Sequence, residues 1–221
     1  MSKWRGELSF PNIVPCITYS GKQFEAVITV STELINPFIK ASAEDHKDRD
    51  CLVVAAMSHG ESGFLFSTDS MYSVDVLWTP FTADRCPTLA GKPKLFFIQA
   101  CRGTSTDSGI QMHETDATPT YTLPSFADIL IAYSTYDGYY SWRNPEHGSW
   151  FIDALCQELN EHGKTHDLLR IMTSVIRRVA IEYQSYVPHS EKFHQKKQIP
   201  SIVSMLTRLV YFSKKETTAT D

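Results

Sequence analysis

No apolar run in this 221-residue sequence approaches the roughly 18 residues that a membrane-spanning helix needs, so no membrane partner is expected. The opening residues, Met1-Ser2-Lys3-Trp4-Arg5-Gly6-Glu7, lack the apolar core of a secretory signal. Cysteine is sparse. Cys16, Cys51, Cys86, Cys101 and Cys156 are odd in number, and no two stand in a C-x-x-C pair. That pattern speaks against a disulfide framework and a zinc knuckle. Each thiol then needs its own explanation, and a cytoplasmic setting is expected. A strong charge of one sign is also missing. The net charge of −4 leaves no basic face for nucleic acid, and the pairs Lys196-Lys197 and Lys214-Lys215 are too short to make one. His113, His147, His162, His166, His189 and His194 show no metal-ligand spacing and read as surface residues, so neither a metal nor a cofactor is expected.

What is present is the material of one globular α/β domain, with 42% hydrophobic and 21% charged residues. Three short apolar runs, Cys51–Met57, Lys94–Ile98 and Asp128–Tyr133, do not alternate with polar residues. Parallel strands covered on both faces read this way. Phe24–Val30 predicts a preceding strand. Ile199–Met205 predicts a late one, which Pro200 pushes towards an edge or a strand start.

Helices are predicted between these strands. Thr32 would cap one carrying Leu34, Ile35, Phe38 and Ile39, with Pro37 in its first turn. Ser149 would cap a second, carrying Ile152, Leu155 and Leu159 and ending at Gly163. Thr165 would open a third with the stripe Leu168, Leu169, Met172, Val175, Ile176, Val179 and Tyr183. The expected fold is a three-layer α/β sandwich: a mostly parallel central sheet with helices on both faces. Only residues 102–123 break the rhythm. They are rich in Gly, Ser, Thr, Asp and Pro, and a long aperiodic stretch inside a compact domain is usually functional or mobile.

In open α/β sheets, sites form at the carboxyl ends of the strands. The run ending at Met57 leads into Ser58-His59-Gly60, and the run ending near Ile98 leads into Gln99-Ala100-Cys101-Arg102-Gly103. If these strands are parallel neighbours, about 4.8 Å apart, an imidazole and a thiol meet above the sheet. That is the arrangement of a base-assisted sulfur nucleophile. Gly60 and Gly103 permit close backbone approach, and backbone N–H groups near Gly60 and Cys101 are candidates to hold an acyl oxyanion. Taken singly, a His after a strand is an ordinary surface residue and a Cys an ordinary small hydrophobe. Cys51 and Cys156 keep that reading as core residues.

Gln99-Ala-Cys-Arg-Gly103 resembles the caspase pattern Q-A-C-[RQG]-G, whose histidine lies roughly 50 residues upstream; His59 precedes Cys101 by 42 residues here. Ser58-His-Gly-Glu61, Gly91-Lys-Pro-Lys94, Tyr139-Tyr-Ser-Trp-Arg-Asn144, Gly148-Ser-Trp-Phe151 and Lys196-Lys-Gln-Ile-Pro200 also resemble caspase motifs, in the same order. The likeness runs from about Phe24 to Phe212 and is closest to the effector branch. It implies a caspase-like fold and a thiol endopeptidase that cuts proteins after aspartate in apoptosis, with Cys101 as nucleophile and His59 as base. It implies that Arg143 and Gln99 belong to the aspartate pocket, that Ser141 is among the substrate-binding residues, that Tyr140 and Trp142 wall the next substrate residue, and that Asn144 and Trp150 line the fourth subsite. Arginine suits such a pocket because its fork of donors matches a carboxylate.

The resemblance further implies a zymogen cut after Asp116, in His113-Glu-Thr-Asp116-Ala117. A large-subunit-like part (residues 1–116) would then be separated from a small-subunit-like part (117–221). Asp107 is the second candidate for the cut, while Asp128 heads a strand and should be protected. Expected partners are proteins with exposed Asp-containing loops, a second copy or another caspase in a dimer, and inhibitor-of-apoptosis proteins. The sequence departs from the family at its start. Only about twenty residues precede Phe24, and none reads as the second arginine of the aspartate pocket, so Arg143 is expected to carry most of the charge recognition. The rival expectation is a weak or inactive caspase-like regulator that dimerises with an active relative.

Overall fold

The computed structural model describes residues 24–29, 35–67, 70–106, 124–144 and 148–212. Its strands are β1 (Phe24–Thr29), β2 (Cys51–Met57), β3 (Gly60–Glu61), β4 (Phe64–Phe66), β5 (Met71–Ser73), β6 (Lys94–Gln99), β7 (Ile129–Tyr133), β8 (Arg143–Asn144), β9 (Gly148–Ser149) and β10 (Ser201–Ser204). Helices are α1 (Ile35–Ser42), α2 (Trp150–His162) and α3 (Leu168–Glu182), with short 3-10 turns between β5 and β6. The expected capping residue of α1, Thr32, and the opening residues through Arg5-Gly6 lie outside the described residues.

The central sheet has the order β1-β2-β6-β7-β10. Its first four strands are parallel, and β10 closes the described sheet antiparallel to β7. Pro200 immediately precedes β10 at this edge, where a missing N–H costs no ladder bond. The uninterrupted apolar runs are explained by two-sided burial. Leu52, Val54, Phe96, Ile98, Ile129 and Ile131 pack on one face with Phe38 of α1 and with Leu77, Phe81 and Leu89 of the 3-10 turns. Their neighbours Leu95, Phe97, Leu130 and Ala132 face the other way, against Phe151 and Leu155 of α2 and Met172, Val175 and Val179 of α3. The three-layer α/β sandwich follows. Phe38, Phe81, Phe96 and Phe151 are the largest fully buried apolar side chains among the described residues, each of the kind whose truncation to Ala costs about 3–5 kcal/mol.

Several local expectations hold and others are corrected. Ser149 caps α2, its side chain accepting from the Ile152 N–H. Gly163 ends α2 in right-handed rather than left-handed geometry (φ −58°). Its missing side chain matters because a Cβ there would overlap the Leu159 carbonyl. Thr165 does not open α3. Its hydroxyl turns back to the His162 carbonyl, and Asp167 caps the helix by accepting from the Leu169 and Arg170 amides. Ile171, absent from the expected stripe, is buried on α3. Asp128 is buried and immediately precedes β7 with φ 61°, its carboxylate taking two hydrogen bonds from Thr207. Cys51, Cys86 and Cys101 are free thiols. Cys51 and Cys156 are buried, on β2 and α2 respectively, as core residues.

Candidate active site

The β2–β6 ladder sets the geometry. Met57 lies opposite Gln99, and the Ser58 N–H donates to the Gln99 carbonyl at 3.0 Å. His59 and Cys101 therefore leave adjacent parallel strands at the same step. A small antiparallel sheet, β3-β4-β5, follows His59, and the Phe66 N–H bonds the His59 carbonyl at 2.9 Å. This hairpin was not anticipated from the sequence, since its strands are only two or three residues long. Gly60 packs directly on the nucleophile segment. A Cβ there would stand 2.9 Å from the Cys101 carbonyl and 2.7 Å from that of Phe64. Real side chains do not tolerate such contacts, so glycine is what lets the imidazole segment approach the thiol segment.

The thiol of Cys101 is half-buried. It accepts from the Ser141 N–H at 3.4 Å and faces the Ser141 carbonyl at 3.8 Å. His59 is exposed, and no hydrogen bond or ion pair holds its ring among the described residues. Thiol and imidazole are thus brought to one end of the sheet without a hydrogen bond between them. Such bonds are often loose before substrate binds. By contrast, burial first and Asp50 second push the Cys51 thiol up to about 12, which leaves it protonated and inert.

The loops after β6 and β7 are laced together beside Cys101. Arg102 and Tyr139, Gly138 and Arg102, Ser105 and Gly138, and Tyr140 and Ser105 exchange backbone bonds of 2.8–3.1 Å. A Cβ on Gly103 would overlap the Gly138 carbonyl, so this crossing also needs glycine. Arg102 lies 4.0 Å over the Tyr133 ring and 3.3 Å from the Asp137 carboxylate, which also accepts from Ser62 Oγ at 2.8 Å. A small cleft beside Cys101 is lined by Glu61, Phe64, Leu65, Ile98, Arg102 and Tyr133.

The other candidates form a second cluster. Gln99 Nε2 donates to Ser141 Oγ at 2.9 Å, and Gln99 Oε1 accepts from the Ser149 hydroxyl. Its amide is therefore engaged within the protein in this state. Ser141 Oγ bonds Ser134 Oγ at 2.8 Å, and Ser134 Oγ reaches the Ala100 carbonyl at 3.1 Å. Tyr140 and Trp142 meet edge to face at 5.0 Å, and Trp142 stacks on Trp150 at 5.7 Å. Phe193 joins both Tyr140 (6.1 Å) and Trp142 (6.0 Å), although it is about fifty residues away in sequence. Tyr183 backs Trp150, and its phenol, raised by burial and then by its bond to Asp153, donates to that carboxylate at 2.6 Å. Arg143 is exposed on β8, opposite Ser149 of β9, and makes no ion pair among the described residues. Asn144 follows it, half-buried. Ser134 and Phe193 carry no signal of their own, because each acts through contacts with distant residues, and Gln198 stands out only as part of the Lys196–Pro200 motif. Asp116 and Asp107 lie outside the described residues. Among the described residues, no group of three or more His, Cys, Asp or Glu could hold a metal, and no helix is long and apolar enough to cross a membrane.

The caspase domain family model matches residues 22–211. Caspase-1 of Spodoptera frugiperda is 53% identical over 192 residues, covering 85% of this chain and 64% of that protein. Caspase drICE of Drosophila melanogaster is 45% identical, covering 88% of this chain and 61% of that protein; for caspase-7 of Gallus gallus the values are 49%, 78% and 58%. The chain thus spans about three fifths of the length of these relatives. The crystal structure of caspase-1 from Spodoptera frugiperda superimposes with a TM-score of 0.77 at 50% identity, covering 84% of this chain and 71% of that one.

Proposed function

This chain belongs to the caspase family, and from that premise we propose that it is a cysteine endopeptidase of effector type, cutting proteins after aspartate in apoptosis. The observation that carries the reading is the Gly60 contact on Cys101 at equal steps beyond the paired ends of β2 and β6. Cys101 Sγ attacks the scissile carbonyl, and His59 takes the thiol proton and returns it to the departing amine as the C–N bond breaks. Water then adds to the thioester, giving up its proton to His59, and the acid product and thiol are restored. N–H groups around Gly60 and Cys101 stabilise the oxyanion. Arg143 pairs with the substrate aspartate beside Gln99, and Ser141 is a further substrate-binding residue. Tyr140 and Trp142 contact the residue before it, and Asn144 and Trp150 serve the fourth subsite. The test is hydrolysis of a short acidic peptide amide ending in Asp. Cleavage of the Asp but not the Asn peptide is expected; turnover of neither overturns the reading in favour of a non-catalytic regulator.

Maturation is part of the same reading, with residues 1–116 and 117–221 as large- and small-subunit-like parts. Incubation with an active caspase is expected to yield a new chain beginning at Ala117, as read by N-terminal sequencing. Cleavage elsewhere accompanied by rising activity overturns Asp116. Assembly is the other part. Among the described residues β10 is an edge strand, with Val203 47% exposed, and unpaired apolar edges invite pairing. A dimer through this edge, isologous in a homodimer or shared with another caspase, is expected by sedimentation. A strict monomer at high micromolar concentration, alone and with such a relative, counts against it. Protein substrates with exposed Asp-containing loops and inhibitor-of-apoptosis proteins complete the proposed partners.

A further inference from the structure

Gln198 is 2% exposed, and one loop engages both ends of its amide. Its Oε1 accepts from the Trp142 N–H at 2.6 Å, and its Nε2 donates to the Ser134 carbonyl at 2.7 Å. These two groups sit at opposite ends of the segment that leaves β7 and carries Tyr140-Ser-Trp-Arg143. A planar amide offers one donor edge and one acceptor edge, so it satisfies a carbonyl and an N–H at once. At this burial, losing the amide leaves both backbone groups unpaired. An aliphatic side chain of similar size would pack there but answer neither.

We propose that Gln198 is a positioning residue for substrate selection. It clamps the Ser134–Trp142 segment so that the Trp142 ring stands at a fixed place beside the bound peptide. This rests on the reading that Trp142 walls the residue preceding the aspartate. The ring is held by Tyr140, Trp150 and Phe193, and Phe193 precedes Gln198 by only five residues. The clamp therefore fixes the Trp142 backbone and keeps the Phe193 segment against it. Through Ser134 Oγ and Ser141 the same segment reaches Ala100 and the Cys101 thiol. Gln198 touches no substrate, yet it sets how sharply the wall discriminates.

The test compares Gln198→Met and Gln198→Glu with the parental full chain on two peptides that differ only in Val or Gly before the Asp. The ratio of their kcat/KM values is independent of the fraction of folded enzyme. In Gln198→Met the Val-over-Gly ratio is expected to fall by about tenfold, through a higher KM for the Val peptide at little-changed kcat. Gln198→Glu keeps the acceptor for Trp142 and is expected to fall between. An unchanged ratio, or equal loss on both peptides through kcat, overturns the proposal and leaves Gln198 a purely structural residue. If the parental protein cleaves neither peptide, the proposed function fails, and hydrogen exchange still decides the clamp. Faster exchange confined to residues 134–144 in Gln198→Met upholds it, and unchanged exchange there overturns it.

Discussion

Cys101→Ala and His59→Ala are each expected to lower kcat/KM on an Asp peptide by about three to six orders of magnitude, and the double variant to lose no more than either alone. Nucleophile and base act as one unit, so removing either leaves only binding and oxyanion stabilisation. The structural ground is the equal departure of the two segments from paired strands, with Gly60 closing the gap between them. Steady-state kinetics on the three variants provides the check, together with mass-spectrometric mapping of an irreversible aspartyl electrophile. A His59→Ala enzyme within tenfold of the parent, losses that multiply in the double variant, or an adduct away from Cys101 would each sink the assignment. Cys51 offers an internal control, since burial holds its thiol protonated.

Arg143→Ala is expected to lower kcat/KM for Asp peptides by about two orders of magnitude and to abolish the preference for Asp over Asn. A hydrogen bond to a charged group contributes about 1.5–3 kcal/mol, and a substrate carboxylate left without its cation costs more. Arg143 is exposed and free of ion pairs among the described residues, so its guanidinium is available without breaking an internal contact. Gln99, in contrast, already spends its amide on Ser141 and Ser149. Arg143→Lys should fall between, because an ammonium cannot offer the two-pronged fork. Parental discrimination between Asp and Asn in the alanine variant would show the pocket to be misassigned.

The sequence by itself determined what is written in local pattern. Unbroken apolar runs announced β2, β6 and β7, because two-sided burial removes alternation. Pro200 marked the edge strand, and Ser149 capped α2 through a bond three residues long. The pentapeptide around Cys101 and the His59-Gly60 pair were legible because they resemble caspase motifs and follow runs that read as parallel strands. Only the tertiary structure decided the rest, since it depends on residues far apart in sequence. Which carboxylate or hydroxyl caps α3 was settled by Thr165 turning back to His162, leaving Asp167 to meet the free amides. Phe193 entered the aromatic wall, and Gln198 reached the Ser134–Trp142 segment, only because β10 lies antiparallel beside β7. Composition can say that a glutamine exists; packing alone says which buried N–H and carbonyl it must satisfy.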